Sequence, residues 1–258
     1  MRIIETPRGS IAVQEHHPEP SPWPPLVLVH GAGGFHLDWP TQLRRAKGLH
    51  VLTVDLPGHG ASAAPARQRV ADYAHDMATL LRVMDLPRAI LVGHSMGGAI
   101  VQQMALDHPE RVAGLVLMGT GARLQVNEAI LDGILRDARA TAELVMKWAW
   151  AKDVPAEWRA NGVERLLNIG PAVVHGDYLA CNDFDLRERV QEIAVPTLVL
   201  CGTADKMTPL PLSEFVAAQI RGAELMTFEQ GGHMLPLEQA EAVTQAVMGW
   251  LQRHWPQA

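Results

Sequence analysis

Hydrophobic residues along the chain follow two rhythms. From Leu26 onward, short unbroken apolar runs alternate with longer stretches whose apolar positions recur at helical intervals. The runs are LVLVH (26–30), HVLTVDL (50–56), AILVGHS (89–95), GLVLMGTG (114–121), TLVLCGTAD (197–205) and ELMTFEQGG (224–232). Their continuous Val and Leu character suits strands buried on both faces of a parallel sheet. Between them lie ADYAHDMATLLRVMDL (71–86), GGAIVQQMALDH (97–108) and LPLSEFVAAQI (210–220), and a last helical stretch begins after Pro236. Such alternation predicts an α/β domain with a doubly wound, mostly parallel sheet and right-handed crossovers.

Two stretches depart from that rhythm. RIIET and SIAVQEH near the start alternate apolar and polar, which predicts an antiparallel hairpin at one sheet edge. The proline-rich EPSPWPP (19–25) reads as a surface connection into the first buried strand. Residues 122–192 hold no Val/Leu strand run, only helical patterns punctuated at Gly162, Gly170 and Pro171, with three tryptophans (Trp148, Trp150, Trp158). The simplest organisation has 1–121 and 193–258 as the α/β core, with 122–192 a helical insertion packed over one end of the sheet.

Composition narrows this little but excludes several classes. At 258 residues, 48% hydrophobic and 19% charged, the chain suits one large domain or a domain with an insertion, and is no disordered chain. A net charge of −6 argues against nucleic acid or an anionic membrane as partner. No apolar run follows Arg2 as in a secretory signal, and nothing approaches the ~20 apolar residues of a membrane span. A cytoplasmic protein acting on a small molecule, as monomer or homodimer, is the expectation. Cys181 and Cys201 are too few for a disulfide framework and lack metal-ligand spacing, so both are expected as reduced thiols. Glu15-His16-His17 lacks the H-E-x-x-H spacing, and no G-x-G-x-x-G or P-loop pattern occurs; no metal or cofactor is expected.

Chemistry enters at Gly93-His94-Ser95-Met96-Gly97-Gly98, a G-x-S-x-G pattern between a strand run and a helical run. In so tight a turn, side chains two residues either side of the serine would clash, hence the glycines. The turn lifts the Ser95 hydroxyl above the sheet and sets the Met96 N–H at a helix start, where negative charge is favoured. A serine needs a base, and the base an orienting carboxylate. Asp205 closes the TLVLCG run and His233 follows LMTFEQGG, so both sit at strand ends, where ligands bind in open α/β sheets. The order Ser, Asp, His suits a hydrolase triad. Asp183 and Asp185 are rival acids just before the following strand, whereas Asp55 precedes Ser95 and stands in the wrong order. His30-Gly31-Ala32-Gly33-Gly34 ends the first buried strand, and its Ala32 N–H with that of Met96 would make an oxyanion hole. His30 reads as a brace, and His59 as part of a turn-rich loop. Gly33, His94, Met146, Trp148, Met207 and Met234 are candidate pocket walls.

Together, HGAGG (30–34), DLPGHGAS (55–62), GHSMGG (93–98), GTADKMTP (202–209) and GGHMLPLEQ (231–239) resemble the α/β-hydrolase superfamily across essentially the whole chain. The resemblance is to the cap-bearing branch of small bacterial esterases, enol-lactonases, cofactor-free haloperoxidases and C–C bond hydrolases. It implies an eight-stranded sheet, a helical cap between the sixth and seventh strands, and triad roles for Ser95, Asp205 and His233. Dehalogenases and epoxide hydrolases are set aside, because the elbow holds a serine rather than an aspartate. C–C bond hydrolases tend to carry asparagine and tryptophan where this chain has His94 and Met234. The expected activity is hydrolysis of carboxylic esters of small to medium acyl chain. A lactonase, a C–C hydrolase or, remotely, a non-enzymatic ligand receptor are the alternatives.

Overall fold

The computed structural model describes residues 1–18 and 21–256. Its centre is an eight-stranded sheet made of β1 (Arg2–Ile4), β2 (Ile11–His16), β3 (Leu26–Val29), β4 (Val51–Val54), β5 (Ala89–His94), β6 (Val112–Met118), β7 (Thr197–Gly202) and β8 (Glu224–Phe228). The strand order is β1-β2-β4-β3-β5-β6-β7-β8. β1 and β2 form the antiparallel edge, and the remaining strands run parallel. This is the mostly parallel sheet that the apolar runs predict and that the resemblance implies.

Period-two alternation divides the central strands between two apolar layers. Val27, Val29, Leu91, Leu115, Leu117 and Val199 face one layer, where they meet Tyr73 and Met77 of α2 (Val70–Val83) and Ile100 and Met104 of α3 (Met96–Asp107). Val216 of α8 (Leu210–Gln219) joins the same layer. Leu26, Leu28, Ile90, Val92, Val116 and Leu198 face the other, against Leu43 of α1 (Thr41–Arg44) and Val243, Val247 and Trp250 of α10 (Ala240–His254). Both faces are covered, which is why these strands read as unbroken hydrophobic runs.

Between β6 and β7 lie α4 (Glu128–Arg136), α5 (Ala138–Ala149), α6 (Ala156–Ile169) and α7 (Pro171–Asp183). Asn127 and Asp137 start the first two of these by accepting the N–H groups of Ala129 and Ala140. These helices bury a cluster of their own, built on Ile130, Ile134, Val145, Met146, Val163, Leu166 and Val174. Ala180 and Cys181 on α7 instead pack into the sheet's own layer. The inserted segment is therefore anchored to the core through α7.

Three expectations need correction. β8 is not buried on both faces: Leu225 and Met226 are 36% and 38% exposed, because the sheet ends there. The last helical stretch is not continuous from Pro236. α9 (Leu235–Glu238) contains that proline, and the helix breaks at Gln239, where the Glu238 and Gln239 side chains reach back to Gly232 N–H and Glu229 O. Trp23 of the proline-rich connection is buried rather than on the surface, and its indole N–H donates to Trp255 O at 3.2 Å. Glu19 and Pro20 of that connection lie outside the described residues.

Candidate active site

Ser95 is the single residue between the end of β5 and the start of α3, with φ 54° and ψ −118°. A non-glycine residue rarely holds positive φ unless its surroundings force it. Here four bonds do so. Ser95 N–H donates to Met118 O at 3.0 Å, while Ser95 O accepts from Gly98 N, Ala99 N and the Thr120 hydroxyl at 2.8, 3.2 and 2.9 Å. The flanking glycines are steric necessities. A Cβ on Gly93 would lie 2.6 Å from Gly98 N, and one on Gly97 would strike Val29 O and lie 2.7 Å from His30 O. Those obstacles are backbone, so neither can swing away. Gly97→Ala is expected to destabilise the fold by about 3 kcal/mol or more, the upper end of overpacking costs. A lowered urea midpoint at unchanged slope would register it.

The loops after β7 and β8 bring Asp205 and His233 together. His233 Nδ1 lies 2.9 Å from Asp205 Oδ2, and both residues are buried. The other carboxylate oxygen, Oδ1, accepts Met207 N–H and Thr208 N–H at 2.8 and 2.9 Å. Thr208 Oγ1 donates to Oδ2 at 2.8 Å and stands 3.1 Å from His233 Nδ1. Burial alone would raise the Asp205 carboxyl, but His233 and the Thr208 donors outweigh it and hold the group below its usual range. A depressed carboxylate stabilises the fold above its unfolded pKa, and that contribution is lost as pH falls through the folded value.

Two side chains help fix the His233 loop. His94 Nε2 donates to His233 O at 2.7 Å, its ring centroid 4.8 Å from that of His233. Full burial, and then the neighbouring His233 imidazole, push the His94 imidazole down to about 3, so it is neutral and works as a donor. Gly232 N–H donates to Glu238 Oε2 at 2.7 Å.

Ser95 and His233 open onto one cavity of about 570 Å³. Its walls include every pocket candidate from the sequence: Gly33, His94, Met146, Trp148, Met207 and Met234. Ala32 also borders it, whereas the Met96 side chain is fully buried in the core and its N–H stands at the start of α3. Neither N–H has a hydrogen-bond acceptor among the described residues. The cavity is apolar in its body, through residues such as Leu124, Val126, Ile130 and Leu212. Arg123, Arg187 and Lys206 add cations to its lining. Asp38 and Arg165, an ion pair at 2.5 Å, complete one wall.

The rival acids lie elsewhere. Asp185 pairs with Arg187, and Asp183 is 3.5 Å from Arg69; neither reaches His233. Asp55 accepts His36 N–H, His36 Nδ1 and Ala61 N–H and does not line the cavity. His30 is a brace: Nδ1 donates to Gly31 O at 2.8 Å, and Nε2 accepts Leu56 N–H at 3.0 Å. Sequence reasoning missed Thr208, Glu238 and the Asp38–Arg165 pair. Only Thr208 carries a local signal, as a hydroxyl three residues beyond the acid. Both cysteines are buried and free. Among the described residues no group of His, Cys, Asp or Glu could hold a metal, and no helix is long and apolar enough to cross a membrane.

Comparison with known proteins places this geometry. Residues 26–246 match the model of the Alpha/beta hydrolase family. The chain is 33% identical over 245 residues to the dihydrolipoyllysine-residue acetyltransferase component of the acetoin cleaving system of Pseudomonas putida. That alignment covers 89% of this chain, and the chain spans 64% of that relative's length. A solved thermophilic esterase is 30% identical with a TM-score of 0.87, covering 98% of this chain and 97% of its own. A thermophilic esterase from Thermogutta terrifontis, solved with malate bound, is 26% identical with a TM-score of 0.86 and covers 98% of each chain.

Proposed function

Given that the chain belongs to the alpha/beta hydrolase family, we propose that it is a serine hydrolase acting on carboxylic esters of small to medium acyl chain. The observation that carries this reading is that His233, paired with buried Asp205, lines the same cavity as Ser95, which is held at positive φ. His233 takes the Ser95 proton as Oγ attacks the acyl carbonyl, and Asp205 holds the imidazole with Nδ1 protonated and Nε2 free to act as base. The N–H groups of Ala32 and Met96 receive the tetrahedral oxyanion, a contribution of about 3 kcal/mol per donor in comparable sites. His233 then protonates the leaving alcohol, and water cleaves the acyl-enzyme by the same route.

In this reading the helices within 122–192 are a cap that sets substrate size. Met146 and Trp148 come from α5 and face the cavity opposite the sheet. The apolar body suits an acyl chain. The solved esterases support an ester as the scissile group.

Steady-state hydrolysis of p-nitrophenyl esters from acetate to palmitate tests the proposal. Turnover is expected to be highest for short and medium chains and to fall for the longest. Trp148→Ala is expected to shift the optimum to longer chains with the short-chain rate within about threefold of wild type, as loss of one wall contact would give. Negligible turnover across the series by folded protein would overturn the ester reading, and lactones would then be the next substrates to assay.

A further inference from the structure

α7 carries a buried carboxylate that the proposed mechanism does not use. Asp177 has no exposed surface, and it lies 144 residues along the chain from one of its partners and 118 from another. Its Oδ2 accepts Gly33 N–H and His59 Nε2, each at 2.8 Å, and its Oδ1 accepts the Tyr73 hydroxyl at 2.7 Å. So three separate parts of the core converge on a single inserted-segment side chain. A buried carboxylate without compensation would cost several kcal/mol, and the usual remedy is a paired cation.

His59 is that cation. Its Nδ1 faces Pro57 O at 3.1 Å and its Nε2 faces Asp177. A carbonyl and a carboxylate only accept, so both ring nitrogens must donate, and a histidine donating from both is an imidazolium. Burial would lower this group, but the Asp177 charge and hydrogen bond outweigh it and raise the imidazole above its usual value.

The consequence falls on Ala32. Gly31 C=O and Ala32 N–H belong to one peptide plane, and Gly31 O is held by Gly34 N–H at 3.1 Å and by His30 Nδ1 at 2.8 Å. The next plane contains Ala32 C=O and Gly33 N–H, and Asp177 holds it. Both peptide planes that meet at Ala32 are thereby fixed. Gly33 sits at φ 61°, and a Cβ added there would run into Leu166 of α6 and touch Val174 of α7, so the inserted helices close over this turn.

We propose that Asp177 is a positioning residue that aims the Ala32 N–H at the acyl centre by holding the adjacent Gly33 peptide, with His59 as its neutralising partner. The inserted helices then set the oxyanion-binding loop as well as covering it. Neutralisation matters to the chemistry, because an unpaired carboxylate so close would oppose the negative charge that develops on the acyl oxygen. This inference rests on the serine-hydrolase reading for its catalytic consequence, though not for the loop geometry itself.

Asp177→Asn is the test. A neutral amide no longer favours the imidazolium, so His59 keeps its one proton on Nδ1, facing Pro57 O, and its bare Nε2 draws the amide nitrogen into the Oδ2 position, where Gly33 N–H then faces a donor and loses its acceptor. Expected on a p-nitrophenyl ester is a kcat lower by about 10- to 100-fold, as loop misplacement gives, with KM within about threefold. An alkylboronic acid, whose tetrahedral serine adduct requires the same hole, should lose affinity in proportion to kcat. Tyr73→Phe is the control: it removes the donor remote from the loop, and it should lower Tm while kcat stays within about twofold. His59→Gln replaces Asp177→Asn if the latter does not fold, with the same kcat and boronate pattern expected.

Hydrogen exchange of the 31–35 amides gives a readout independent of turnover. The inference expects exchange faster by about tenfold or more in Asp177→Asn, with β3 unchanged, as local opening of one loop would give. A kcat and boronate affinity within twofold of wild type, or unchanged loop exchange, would overturn it. Wild-type protein that neither hydrolyses esters nor binds boronate would instead sink the serine-hydrolase reading, and loop exchange alone would then decide the role of Asp177.

Discussion

Ser95→Ala is expected to lower ester turnover by about 10⁴- to 10⁶-fold, because the remaining groups can bind substrate and polarise it but cannot form an acyl-enzyme. KM should stay near the wild-type value, since the hydroxyl contributes little to ground-state binding. The backbone at position 95 makes a second variant informative. Its φ of 54° and ψ of −118° cost a non-glycine residue roughly 1–3 kcal/mol, held in place by the Met118, Gly98, Ala99 and Thr120 contacts. Ser95→Gly removes the hydroxyl and the strain together. It should be as inactive as Ser95→Ala and more stable than wild type by about 1 kcal/mol, read as a higher urea midpoint. Retention of more than a few per cent of turnover in either variant would exclude Ser95 as nucleophile. An inactive Ser95→Gly with lowered stability would exclude stored strain.

The two halves of that prediction differ in how far the sequence announces them. The G-x-S-x-G pattern is local, and its steric requirement is visible in the string itself: Gly93 and Gly97 are where a side chain would meet backbone. The central strands are equally legible, because burial on both faces leaves unbroken runs such as LVLV and AILV. β8 misleads for the same reason. Its Leu225 and Met226 imitate a buried run, and nothing in the sequence says that the sheet ends there. Trp23 misleads in the other direction, since proline on either side marks a surface connection while the ring docks beside Trp255. The groups that arrange the site are the least legible. Thr208 is close enough in sequence to Asp205 to be inferred, but Asp177 meets Gly33 and His59 only after the inserted helices fold back on the core. Its stretch, GDYLACNDF, has no pattern that distinguishes a carboxylate buried against three donors from one in water.

The acid also shows how local hydrogen bonds decide the outcome of a conservative change. In Asp205→Asn the side chain keeps its shape, and the surroundings select which way the amide turns. Met207 N–H and Thr208 N–H both point at the Oδ1 position, at 2.8 and 2.9 Å, and two donors there require an oxygen. The amide nitrogen is thereby forced to the Oδ2 position, 2.9 Å from His233 Nδ1. Facing a donor, Nδ1 must become the acceptor, and the imidazole proton moves to Nε2. That tautomer presents an N–H to Ser95 and cannot accept its proton, the consequence seen when the same change is made in serine proteases, where kcat falls about 10⁴-fold. A loss of that order is expected here, with KM little changed and the fold retained, because every backbone donor keeps an acceptor. Thr208→Val gives the complementary result. Without the hydroxyl at Oδ2, Asp205 keeps both backbone donors and its bond to His233, so kcat should fall by no more than about 10-fold, the scale of one neutral hydrogen bond. A pH–rate profile separates the two cases. Thr208→Val should keep the wild-type shape, since Asp205 retains both backbone donors and its bond to His233. Asp205→Asn should lose activity across the whole range. Equal and small losses in both variants would mean that His233 draws its orientation from the His94 and Glu238 contacts rather than from Asp205.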